Sequence, residues 1–301
     1  MSIVELGRLA HRHCVNLFCA HRLVFHHVPK CGGTSVGRSL RRAYIFSQAT
    51  VTPVESEKAF NAAKSCRSSG GVGHVSELRE MMLLYMLYSD VRCVSAHLPF
   101  SDIGFDSFGD RYSFVTLLRD PIERFISNYY WNYSRSQAHF RVAESFGDFL
   151  STERARGMGS TYVRYFCGQP GQEFSAQHVD AAIRNLHRMH LVGFLDDVGE
   201  FQASLSKLTG RRLKVGKENV RNTAAKRATI LEGPLRSKVL EVCAADLEIW
   251  QAVQNLRDRS APDGHRQSVL EESRAKGINA PINPHSDTNG TGRISVSQDR
   301  R

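Results

Sequence analysis

Four short apolar runs stand out along the chain, each closed by turn residues and followed by a helical period. LVFHHV, 23–28, is apolar and β-branched and stops at Pro29. VRCVSA, 91–96, ends at His97-Leu98-Pro99-Phe100, and YSFVTLL, 112–118, runs into Arg119-Asp120-Pro121. HLVGFLDD, 190–197, is the fourth. Runs this short and this continuously apolar predict strands buried on both faces.

The segments between them change period. Val36, Leu40, Ala43 and Tyr44 fall on one face of a helix starting at Thr34 or Ser35. SELREMMLLYMLYSDV, 76–91, reads as a core-facing helix. PIERFISNYYWNYSR, 121–135, carries its own start signals: Asp120 as N-cap, Pro121 in the first turn, and Glu123 three residues after the cap. Ile122, Phe125, Ile126, Tyr129 and Tyr133 make its apolar stripe, with Arg124, Ser127 and Asn128 on the other side. HVDAAIRNLHRM and VGEFQASLSKLTG are two more helices, the second closed by Gly210, and 234–256 is a last one containing Trp250. Residues 45–75 read as polar and irregular, and RRLKVGKENVRNTAA as a basic loop. Strands alternating with helices predict an α/β fold with a mostly parallel sheet covered on both faces.

Domain limits follow from the same pattern. A folded domain is expected over 22–258, preceded by an N-terminal extension, 1–21. From 259 to 301 there is no aromatic residue and little large apolar content, which predicts a disordered tail. Asn289-Gly290-Thr291 matches a glycosylation acceptor pattern, read as chance without a secretory signal.

Composition narrows the function classes. The 301 residues are 41% hydrophobic, enough for one sizeable core, and the net charge of +10 favours anionic partners. The arginines are scattered and no nucleic-acid-binding motif is present, so a nucleic-acid partner is not expected. Seven cysteines without a paired spacing fit reduced thiols in a cytoplasm better than a disulfide framework or a zinc site. The N-terminal apolar runs are broken by Arg and His, too short for a secretory core or a membrane span.

The candidate chemistry lies in FHHVPKCGGTS, 25–35. Glycines let backbone N–H groups approach an anion, a helix start adds a positive dipole end, and Lys30, Thr34 and Ser35 add a charge and hydroxyls. The order excludes a Walker A loop, because Lys30 precedes Gly32 and Gly33, and no strand ends in an obvious Walker B aspartate. A tight turn with a helix cap is the plainer alternative. Arg119 at another strand end and Ser127 along the next helix offer a second anion site. Cys31 beside Lys30 raises the possibility of a lowered thiol pKa.

The order of these elements resembles that of the sulfotransferases. FHHVPKCGGTS resembles their 5′-phosphosulfate loop, LLRDPIERFISNYY their 3′-phosphate element, and SAHLPF their GHxPF stretch. TYVRYFCG, HLVGFLDDVGEFQASLSKL and KENVRNT follow in the family's order. The group most resembled is the heparan sulfate 2-O-sulfotransferase-like carbohydrate sulfotransferases, over roughly 22–255.

The resemblance implies a P-loop-like three-layer fold and a PAPS (3′-phosphoadenosine 5′-phosphosulfate) donor. Lys30, Cys31, Gly32, Gly33, Thr34 and Ser35 would hold the 5′-phosphosulfate, and Arg119 and Ser127 the 3′-phosphate. Arg124 is left between the same site and helix packing. His97 would be the general base and Lys30 the stabiliser of the leaving oxygen, with no metal required. His26 and His27 compete with His97 for the base. The acceptor would be a hydroxyl, most naturally of a carbohydrate. Ala96 stands where the family often has Gly, and Thr161-Tyr162 where it often has Gln-Thr, which puts acceptor contacts there in doubt. A kinase or NTPase, and a non-catalytic nucleotide-binding protein on the same fold, remain alternatives.

Overall fold

In a computed structural model of the chain, the described residues are 3–18, 20–66, 73–134, 141–168, 174–216 and 223–260. Met1–Asn255 form one compact unit; of the second, beginning at Leu256, the described residues 256–260 are the end of the last helix.

Five strands carry the fold: β1 (Leu23–His26), β2 (Gln48–Val51), β3 (Cys93–Ala96), β4 (Ser113–Leu118) and β5 (Leu191–Phe194). They form one sheet in the order β2-β3-β1-β4-β5, with every pairing parallel. The helices are α1 (Ile3–Phe18), α2 (Gly33–Ala43), α3 (Pro53–Cys66), α4 (Val75–Tyr88), α5 (Asp102–Phe108), α6 (Pro121–Tyr133) and α7 (Phe146–Phe149). After them come α8 (Glu153–Gly159), α9 (Thr161–Phe166), α10 (Ala176–Arg188), α11 (Val198–Thr209), α12 (Thr223–Glu232), α13 (Arg236–Val242) and α14 (Ala244–Ser260).

The three inner strands are buried along their whole length, as unbroken apolar runs require. Alternate residues feed different cores. Val24, Val94 and Phe114 pack with α4, α5, α9, α10 and α14 through Leu83, Phe108, Phe166, Leu186 and Trp250. Leu23, Phe25 and Val115 pack with α2 and α11 through Val36, Leu40, Phe201 and Leu205. The result is a three-layer α/β fold around a parallel sheet. A third cluster joins Phe125 and Tyr129 of α6 to Phe149 and to Val239 of α13.

Several local expectations hold. Asp120 caps α6, its carboxylate accepting from the Glu123 N–H at 2.8 Å, with Pro121 in the first turn. Gly210 closes α11 in the left-handed region, φ 65°. Others fail for identifiable reasons. The segment 45–75 contains β2 and α3: β2 is a four-residue edge strand, QATV, with only Val51 fully buried, so it lacks the apolar run of an inner strand. The helix expected over 234–256 breaks into α13 and α14, because Cys243 lies between them at φ −99°, ψ 5°. Tyr133 is half exposed instead of joining the α6 stripe. The tail expected from 259 onward lies outside the described residues beyond 260.

Candidate functional site

The strand order places the site. β1 lies between β3 and β4, and the chain crosses from one side of β1 to the other between them. Open parallel sheets bind ligands beyond the carboxyl ends of strands at such a reversal. Three segments meet there: His27–Ser35 after β1, His97 after β3, and Arg119-Asp120 after β4.

The loop after β1 has the backbone of an anion cradle. Lys30 and Gly32 both adopt left-handed conformations, φ 67° and 77°. A non-glycine residue there costs roughly 1 kcal/mol or more and clusters at ligand sites. Alternating left- and right-handed residues gather successive N–H groups into a concavity that suits an anion. α2 begins at Gly33 with no side chain capping it. Glycine is required at Gly33, since a Cβ there would sit 2.0 Å from the His27 ring. Thr34 is exposed, Ser35 buried, and the Lys30 ammonium lies 5.0 Å from the centroid of the Trp131 ring on α6.

Cys31 departs from expectation. Its side chain turns into the core, 1% exposed, with its sulfur 3.5 Å from the Tyr162 hydroxyl. Burial pushes its thiol up to about 11, the reverse of an activated cysteine. Only its backbone is available to a ligand.

Parallel register brings two histidines together. His26 pairs with Ala96, so the next residues, His27 and His97, emerge side by side with ring centroids 3.8 Å apart. Burial first, then the His97 and Arg41 charges, lower His27 to about 3. Burial first, then Arg79, lowers His97 to about 4. Both are neutral at pH 7. The Arg79 guanidinium donates to the His97 carbonyl at 3.4 Å and to the Ser56 hydroxyl at 2.8 Å, fixing the strand end. His26 points to the other face, between Phe100 and Phe114. It is fully buried, neither ring nitrogen makes a hydrogen bond, and burial drops it to about 4. His26 is therefore a core residue and not a competitor for the base.

Arg119 and Ser127 lie as the spacing requires, at the end of β4 and on α6. The Arg119 guanidinium is held by Glu123 at 3.1 Å. Its backbone is gripped by Tyr162, whose hydroxyl accepts from the Arg119 N–H at 2.8 Å and donates to the Arg119 carbonyl. Asp120 is braced from α12 by Arg227 at 3.3 Å. Ser127 is 6% exposed, one turn before Trp131 and hence on the same helix face. Arg124 does not share the expected polar face. It is fully buried, paired with Asp246 of α14 at 3.3 Å and donating to the Met158 carbonyl. Its role is helix packing, one of the two roles left open for it. Periodicity missed this because a buried ion pair looks like a surface residue in sequence.

Thr161 and Tyr162 are both buried, which removes them as acceptor contacts. A cavity of about 400 Å³ opens beside Ser35, lined among others by Arg38, Arg42, Gln202 and Lys214. Sequence reasoning passed over these cations. The signal was present in RSLRR, where Arg38 and Arg42 at i and i+4 share one face of α2. Among the described residues no cluster of three or more His, Cys, Asp or Glu is arranged to hold a metal ion.

Residues 17–165, which contain the loop, both histidines, Arg119 and Ser127, match the model of the Sulfotransferase family (Sulfotransfer_2). This chain is a sulfotransferase-class enzyme built on a parallel α/β sheet. It is similar to mouse sulfotransferase SULT7A1, solved in complex with PAP, at 13% identity and a TM-score of 0.37, covering 73% of this chain and 68% of that one. It is also similar to a sulfotransferase from Alicyclobacillus acidocaldarius, at 16% identity and a TM-score of 0.37, covering 77% and 99%. No curated protein sequence matches the chain.

Proposed function

We propose that this protein transfers the sulfuryl group of PAPS to a hydroxyl of a carbohydrate, with His97 as general base. The observation that carries the reading is the placement of two anion-holding elements at adjacent strand ends: the loop 30–35 after β1, and Arg119 with Ser127 after β4 and on α6. A nucleotide phosphorylated at both ends matches two such elements; a single phosphate matches one. The left-handed loop, the uncapped α2 and the nearby cationic cavity suit such a group.

PAPS, when bound, supplies an SO₃ group on a phosphate leaving group. Each residue then has a physical task. The loop N–H groups and Lys30 neutralise the leaving phosphate as negative charge grows on it. Arg119 and Ser127 hold the 3′-phosphate, with the Arg119 guanidinium turning from Glu123 toward it. Arg38, Arg42 and Lys214 line the space beside Ser35 that would receive the nucleoside. A neutral imidazole at His97 accepts the acceptor's hydroxyl proton. Magnesium has no assigned task in this scheme.

The closer kinship to heparan sulfate 2-O-sulfotransferase-like enzymes rests on the motifs in their order and on His97 after β3. The domain assigned to the activity is 22–258. A cytoplasmic site fits the free thiols of Cys14, Cys31, Cys93, Cys167 and Cys243. No helix among the described residues is long and apolar enough to cross a membrane.

Calorimetric titration with PAP and ATP, each with and without magnesium, separates this reading from a kinase or NTPase. PAP is expected to bind tighter than ATP by at least about tenfold, an interval of about 1.4 kcal/mol, and to be indifferent to the metal. Tighter binding of ATP that requires magnesium would overturn the proposal.

A further inference from the structure

Tyr162 touches both anion-holding elements, and no part of the proposed reaction uses it. It sits on α9 with its side chain fully buried. Its hydroxyl accepts from the Arg119 N–H at 2.8 Å, donates to the Arg119 carbonyl, and lies 3.5 Å from the sulfur of Cys31 in the loop. Both backbone groups at the end of β4 are thereby tied to one phenol, and that phenol abuts the loop after β1.

The residue is itself anchored from two sides. Its backbone N–H donates to Asp246 at 2.8 Å, and the neighbouring Val163 N–H donates to the same carboxylate oxygen at 3.2 Å. The Arg124 guanidinium, paired with Asp246, lies 5.4 Å from the centre of the Tyr162 ring. Burial holds the hydroxyl far above the ordinary tyrosine range, so it keeps its proton and its dual role. A phenylalanine would fill the same core volume but leave the N–H and the carbonyl of Arg119 without this partner. Packing alone therefore does not account for the hydroxyl.

We infer that Tyr162 is a positioning residue: its hydroxyl sets the spacing between the loop 30–35 and Arg119, and so makes the site selective for a nucleotide phosphorylated at both ends. The inference rests on the proposed function. Nothing in it requires Tyr162 to touch the nucleotide. The Arg119 guanidinium, held by Glu123, would turn to the phosphate, while its backbone is fixed by the tyrosine. A nucleotide with one phosphate engages one element and is insensitive to the distance between them. A nucleotide with two must span it.

The test is the ratio of affinities for PAP and adenosine 5′-monophosphate, measured by calorimetry on the full chain. Tyr162→Phe is expected to weaken PAP about tenfold and the 5′-monophosphate by less than about twofold, the loss of one buried hydrogen-bonding group falling on the two-ended ligand alone. Cys31→Ala, which removes only the thiol facing the phenol, is expected to lower the same ratio by a smaller factor, and carries the test should Tyr162→Phe fail to fold. An unchanged ratio, with both ligands weakened in proportion or neither affected, would overturn the inference. A wild-type protein that binds neither nucleotide overturns the proposed function itself, and that result is read before any variant is compared.

Discussion

Replacing Lys30 by alanine is expected to lower kcat about 10²- to 10³-fold while weakening PAP binding only several-fold. The two effects differ because the lysine's work is concentrated in the transition state. A phosphate that is leaving carries more charge on its bridging oxygen than one that is merely bound, and a fixed cation there stabilises the later state more. The backbone shows the residue placed at some cost, a left-handed φ of 67° for a lysine with two glycines just beyond it. The Trp131 ring face, 5.0 Å from the ammonium, keeps the charge over α6. Steady-state kinetics of Lys30→Ala against a PAP titration of the same variant checks the split. A fall in affinity as large as the fall in kcat would mean that Lys30 only binds.

His97→Ala is expected to lower kcat by about 10²- to 10⁴-fold, the usual range for a positioned general base. The pH dependence is the more diagnostic result. Burial and Arg79 lower His97 to about 4, and its neighbour His27 is lowered to about 3. A base must be deprotonated to act, so activity is full above the pKa and lost as pH falls through it. The acid limb of kcat/KM, which reports the free enzyme, is therefore expected near pH 4, with a flat profile from about 5 to 8 on that side. An exposed histidine would place the same limb near 6.5. With donor bound, an anion beside the two rings favours the imidazolium, so the limb of kcat should lie at higher pH than that of kcat/KM. A limb near 6.5 in kcat/KM that persists in His97→Ala would assign the base elsewhere.

How much of this was legible in sequence depends on what each residue has to do locally. The inner strands announce themselves because burial on both faces leaves few polar positions in LVFH, CVSA and SFVTLL, and those few are themselves buried. The cap at Asp120 and the stop at Gly210 are local chemistry and read directly. The edge strand β2 did not, since an edge needs few apolar residues, and the segment looked irregular. Arg124 was misplaced for a different reason: its partner Asp246 lies 122 residues away, and no local pattern distinguishes a buried cation from a solvated one. The nearness of His27 to His97 follows from strand register, which becomes fixed only when β1 and β3 pair. Cys31 shows the limit most sharply. Its neighbour in sequence is a cation, but its neighbour in space is the buried phenol of Tyr162, and the spatial neighbour decides its chemistry.

The measurement that bears most directly on the whole account is transfer of labelled sulfate from PAPS to a panel of glycans, run in the presence of a metal chelator. The account predicts label on a carbohydrate hydroxyl with stoichiometric release of PAP, undiminished by the chelator. Label appearing only when magnesium is supplied, or no transfer to any glycan by a protein that binds PAP, would contradict it.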